Sequence, residues 1–210
     1  MAYPTVDAPY GFRPVNLIGG QVFSGSTRQI SIASNYGTSI YYGDVVQLSL
    51  NGTLLISAMT GATASAVVGT IGVFLGCSYT SPATNQKVFA QYYPANTVAS
   101  DIVAYVCDDP NTLFKVVNVT GTTADNASSG LLPAYVARAV IGSNAAFVNN
   151  TGVTSSGNSR QAVFANNVLT TLPFRIVDVV ADTANSSGNF VELIVKMNAG
   201  YHSYENAVGV

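Results

Sequence analysis

Residues that force the chain to turn recur about every ten positions, and the segments between them are short and β-branched. No stretch sustains the 3.6-residue apolar period of an amphipathic helix. The clearest local signal is Asp44-Val-Val-Gln-Leu-Ser-Leu50, then Asn51-Gly52, then Thr53-Leu-Leu-Ile-Ser57. Asn and Gly both tolerate positive φ, so this segment predicts a hairpin closed by a type I′ turn. Further strands are predicted at 29–33, 38–41, Val67–Leu75, Lys87–Tyr93, Ile102–Cys107 and Leu113–Val119. Others follow around Tyr135–Ile141, at Phe174–Val180 and at Phe190–Lys196. The last two are joined by the polar stretch Asp182–Asn189 and are expected to be antiparallel neighbours. Gly69, Gly72 and Gly76 interrupt one apolar run, which points to bulges or close backbone approach. The expected fold class is all-β, an antiparallel β-barrel or sandwich with long loops.

Residues 1–30 read as an extended N-terminal arm, because Pro4, Pro9 and Pro14 with Gly11, Gly19 and Gly20 exclude helix and central strand. The arm nevertheless carries Tyr10, Phe12, Val15, Leu17 and Ile18, so it must be buried either on its own domain or on a neighbour. Residues 31–210 form the β-core domain, with a loop-rich insertion around 120–170. Within that insertion 149–161 is the most linker-like part of the chain. Residues 58–66 and 120–130 read as loops.

Composition narrows the function. Hydrophobic residues make up 48% of the 210, yet charged residues make up only 9%, against about 25% in ordinary domains. Disordered chains show the reverse pattern. Charge depletion and abundant Tyr mark surfaces that other proteins cover, so an assembly subunit is expected. A small rigid secreted-type β-domain shares this composition. The basic residues Arg13, Arg28, Lys87, Lys115, Arg138, Arg160, Arg175 and Lys196 are scattered, which argues against a nucleic-acid partner. No apolar run approaches the ~18 residues of a membrane helix, and no targeting signal opens the chain. The expectation is a protein made in a cytoplasm that stays soluble, with no membrane partner.

Catalytic material is sparse. The single histidine, His202, lies in the tail beside Ser203, and no G-x-S-x-G elbow accompanies it. Asp108-Asp109 precedes Pro110 and reads as a turn rather than a metal site. Gly19-Gly20 lacks the lysine and helix of a phosphate loop. Cys77 and Cys107 match no metal spacing and read as buried thiols, with a disulfide left open. No catalytic residue, metal site or cofactor is therefore expected, and the chain is read as a non-enzyme.

Several segments resemble a known family. Tyr42-Gly-Asp-Val-Val-Gln-Leu-x-x-Asn-Gly-Thr-Leu54, followed by Ile71-Gly-Val-Phe-Leu-Gly76, is similar to the core of the small β-proteins that decorate tailed-bacteriophage capsids. Leu193-Ile-Val-Lys-Met-Asn198 with Tyr201-His202, and the opening Tyr10-Gly-Phe-Arg-Pro14, resemble segments of tailed-phage structural proteins. The resemblance covers about a third of the chain. It implies a β-tulip or β-barrel core and a decoration or cement role on the outer surface of the head. It also implies the major capsid protein as partner and a dimer or trimer of the chain itself. Tyr10, Phe12 and Arg13 become candidate partner-binding anchors, since aromatics and Arg dominate interfaces. The alternative for the same three is a lid on the domain's own core. On the arm reading, removing residues 1–20 abolishes shell binding and leaves the core folded. The alternative function is a receptor- or glycan-binding β-domain of a virion fibre or cell surface.

Overall fold

A computed structural model describes residues 6–59, 69–120, 138–165, 171–184 and 190–207. Parts of the predicted loops 58–66 and 120–130, of the strands at Val67–Leu75 and Tyr135–Ile141, and of the connection Asp182–Asn189 lie outside the described residues.

The fold is all-β, built from two six-stranded sheets. The first contains β1 (Arg13–Leu17), β8 (Thr112–Asn118), β9 (Asn144–Val148), β10 (Ala162–Ala165), β11 (Phe174–Val179) and β12 (Val191–Met197). Its order is β1-β8-β10-β9-β11-β12, and β12 also pairs with β8 over Leu113–Asn118. The five strands β8, β10, β9, β11 and β12 therefore close into a barrel, which leaves β1 as an extra strand on β8. All of its pairings are antiparallel except the single parallel joint Val163↔Asn118.

The second sheet holds β2 (Arg28–Ser31), β3 (Val45–Leu48), β4 (Leu54–Ile56), β5 (Thr70–Thr80), β6 (Lys87–Ala90) and β7 (Val103–Cys107). Its order is β2-β7-β5-β3-β4, with β6 paired to the far end of β5. The hairpin read from Asn51-Gly52 is β3–β4, with Val46 opposite Ile56 and Leu48 opposite Leu54. Its turn differs from the expected type. Gly52 N–H donates to Ser49 O at 2.9 Å, Ser49 N–H donates to Thr53 O at 2.8 Å, and only Gly52 has positive φ, at 73°. This is a three-residue loop with glycine at the left-handed position. Asn51 thus stays in the ordinary φ range.

Strand alternation builds the cores. On β12, Val191, Leu193, Val195 and Met197 face the barrel interior, where they meet Phe114, Val116, Phe147, Phe174 and Ile176. A second core fills the other unit with Ile30, Val46, Leu54, Ile71, Phe74, Tyr93 and Val106. β5 serves both, because Val73 contributes to the first core while Ile71, Phe74 and Cys77 contribute to the second. Its glycines explain how. Gly72 sits at φ +151° against β7, where a Cβ would lie 2.0 Å from Cys107 O. Gly72→Ala is expected to cost about 3 kcal/mol through overpacking and backbone strain. The urea midpoint measures it, and an unchanged midpoint would mean that β5 and β7 part here freely.

The two thiols follow from the same register. Cys107 lies opposite Val73 and Cys77 opposite Ala104, so they stand about four residues, or ~13 Å, apart along β5. That separation is too large for a disulfide. Both thiols are free and buried, and burial pushes the pKa of Cys77 up to about 12 and that of Cys107 up to about 11.

Two segments depart from expectation. Arg138–Val140, the described part of the strand expected at Tyr135–Ile141, is a 3-10 turn, and the strand lies at Asn144–Val148. Ala-Ala-Phe-Val is a modest strand former by itself, but here it finds β10 on one edge and β11 on the other. The linker-like 149–161 is built into the structure: Ser159 and Gln161 are fully buried, and Tyr42 pairs with Asn158. Two strands of the region 120–170, β9 and β10, belong to the barrel wall.

Candidate functional site

Three chain segments meet where the two sheets join: 10–13, 40–45 and 149–161. Phe12 N–H donates to Gly43 O at 2.9 Å, Tyr42 N–H to Gly157 O at 3.1 Å, and Ser159 N–H to Tyr42 O at 3.0 Å. Val45 N–H donates to Gln161 Oε1 at 2.7 Å, and Gln161 Nε2 donates to Asn149 Oδ1 at 3.1 Å. A polar seam therefore ties an apolar barrel to an apolar sheet, with its buried groups mostly paired, as burial demands.

The expected anchors all fall in or beside this seam, and all are engaged within the chain. Phe12 is 0% exposed, with its ring stacked on Phe174 at 4.7 Å and edge-on to Phe114 at 6.3 Å. A side chain so enclosed is not available to a partner. The Arg13 guanidinium donates to Tyr42 O at 3.1 Å and Asn158 Oδ1 at 2.8 Å, and lies 4.0 Å from the Tyr42 ring centroid. Tyr10 donates its hydroxyl to Glu192, whose carboxylate also pairs with Lys115 at 3.0 Å. Burial and the Glu192 carboxylate raise the Tyr10 pKa. Of the two possibilities open for the N-terminal segment, residues 10–18 take the first, lying across their own domain, and 13–17 are strand β1. Removal of residues 1–20 would take Phe12 out of the barrel, so the core is not expected to survive that truncation intact.

Asp44 stands at the centre of the seam and is 1% exposed. Its Oδ2 accepts from Tyr41 N–H at 2.7 Å, while Oδ1 has no hydrogen-bond partner. Burial pushes its pKa up to about 7, against opposing contributions from the Ser159 hydroxyl, the Tyr41 amide and Arg13. Sequence reading missed its burial, because an Asp that opens a strand usually faces water.

One end of the seam opens into a cleft of ≈ 540 Å³. Gly37–Ser39, Tyr41, Ile56 and Ala95 line it from the second sheet's unit, and Asn149–Gly152 from the segment after β9. The lining holds no charged side chain. Tyr41 is stacked on Tyr92 at 5.5 Å, and Gly152 lies directly against the Tyr41 ring. Asn150 is 2% exposed; its Nδ2 donates to Arg160 O at 3.4 Å and its Oδ1 has no partner.

His202 is buried beside the second sheet's end, where its Nδ1 accepts from Tyr204 N–H at 3.3 Å. Burial lowers its pKa. Asp108 next to it is held by Arg28 at 2.6 Å and by the Tyr204 hydroxyl at 2.9 Å. No serine hydroxyl hydrogen-bonds His202 among the described residues, so the geometry gives no nucleophile–base pair. Among those residues, no three His, Cys, Asp or Glu side chains cluster as a metal site, and no helix is long and apolar enough to cross a membrane.

Fold and site together define a two-sheet, all-β protein with a closed five-stranded barrel and an uncharged cleft at the sheet junction. Comparison with protein-family models, curated proteins and solved structures finds no match to this chain.

Proposed function

We propose that this chain is a structural subunit of a virion, a decoration protein that binds the outer surface of an assembled tailed-phage head and bridges its capsid subunits. Its partners on this reading are the major capsid protein and further copies of itself, as a dimer or trimer. The observation that carries the proposal is the scarcity of free charge. Charged residues are 9% of the chain, and most of the basic ones are paired with other groups of the chain, several of them at the surface. Arg28, Lys87, Lys115, Arg138 and Lys196 form ion pairs, Arg13 lies in the seam, and Arg175 donates to Asn144 at 2.6 Å. The exposed surface carries few charges, several of them in ion pairs such as Arg28–Asp108 and Arg138–Asp178, and it has apolar side chains at tips and edges. Leu50 at the β3–β4 turn is 89% exposed and Phe89 on β6 is 76% exposed. Such a surface suits burial against other subunits better than solitary life in water.

The segments that carry the phage resemblance occupy structural positions here. Tyr42–Leu54 supplies the seam and the β3–β4 hairpin, Ile71–Gly76 lies in β5, and Leu193–Met197 lies in the barrel-closing β12. The experiment is co-sedimentation of the full chain with expanded shells of the major capsid protein encoded in the same genome. Stoichiometric binding with a raised shell rupture temperature is expected. Absence of binding at micromolar concentration would overturn the reading.

A further inference from the structure

We propose that the cleft at the sheet junction is a binding site for a neutral saccharide. Its volume of ≈ 540 Å³ falls within the range of about 300–1,000 Å³ typical of small-molecule sites. The absence of any charged lining side chain argues against phosphates, nucleotides and carboxylates, which call for Lys, Arg or a helix terminus.

The hydrogen-bonding groups are those a polyol requires. Thr38 and Thr151 line the cleft from distant chain segments; both are exposed, and neither hydroxyl is engaged within the chain. The Tyr41 hydroxyl has no partner in the chain either, although its ring is fixed between Tyr92 and Gly152. Asn150 also borders the cleft, but its Oδ1, which has no partner in the chain, is closed off from the surface and does not meet a ligand there. Ile56 and Ala95 add the apolar wall that a sugar's C–H face needs. Since the Tyr41 ring is already stacked on Tyr92 and packed against Gly152, recognition runs through hydroxyls rather than ring stacking. The proposal does not rest on the virion role, because it is argued from the cleft lining alone.

The test is an amide-resolved NMR titration of the full chain with methyl glucoside, methyl galactoside, methyl mannoside, N-acetylglucosamine and maltotriose. A sulfated tetrasaccharide serves as the charged control. At least one neutral sugar is expected to give saturable shifts confined to residues 37–41, 95 and 149–152. The exposed double substitution Thr38→Val with Thr151→Val should weaken that binding about tenfold without altering the rest of the spectrum. Three results would overturn the proposal: no sugar moving these amides at tens of millimolar, equal response to the sulfated control, or binding indifferent to the threonine substitutions. Capsid shells broadening these amides where sugars do nothing would also overturn it, while leaving the virion role standing.

Discussion

Replacing Asp44 by Asn is expected to remove a stability loss on the order of 4 kcal/mol that the native chain suffers between pH 4 and pH 7. The carboxyl is 1% exposed and its pKa is raised from an ordinary 3.8 to about 7, with burial as the largest cause. The folded chain therefore holds this proton more tightly than the unfolded chain. Its stabilising contribution is complete below pH 3.8 and declines as pH rises to about 7, beyond which it is gone. Asparagine keeps an acceptor for Tyr41 N–H and carries no charge, so its contribution does not vary over that window. Other carboxylates act in the opposite direction. Asp101, held by Lys87 and the Thr80 amide and hydroxyl, has its pKa lowered, and it favours the fold as pH rises. The informative quantity is accordingly the difference between native and Asp44→Asn stability, from urea unfolding at each pH. A difference that stays constant from pH 4 to pH 8 would show that the seam tolerates the charge.

Phe12→Ala is expected to destabilise the chain by about 3–5 kcal/mol, the range for truncating a buried aromatic. Phe12 is fully enclosed and touches the rings of Phe114, Phe147 and Phe174, which come from three different barrel strands. Denaturant unfolding measures the loss. The arm reading makes the opposite forecast, a core indifferent to this residue. Near-native stability in the alanine variant would restore that reading and discredit the packing described here.

Much of the fold was legible along the chain. The β3–β4 hairpin, the β11–β12 pair and the turn at Asp108–Asn111 are local features, in which alternation and turn residues lie within a dozen positions of each other. β9 was not legible, because Ala145 and Ala146 carry little strand preference and gain their place only from β10 and β11. The segment 149–161 misled for a related reason. Its Ser, Asn and Gly residues look like a linker until Tyr42, Val45 and Arg13 arrive to accept and donate their hydrogen bonds. The cleft was equally hidden, since its walls come from segments as far apart in sequence as 37–41 and 149–152.

The sequence by itself determined the class: short β-branched runs, frequent turns and apolar alternation admit only an all-β chain with few charges to show to water. Tertiary structure alone decided that the barrel closes, that Phe12 and β1 belong to the core, and that Asp44 is buried. Closure depends on β12 returning to β8, and burial depends on what a residue meets across the sheet junction. Both are long-range contacts, and local patterning carries no information about which distant segment will supply them.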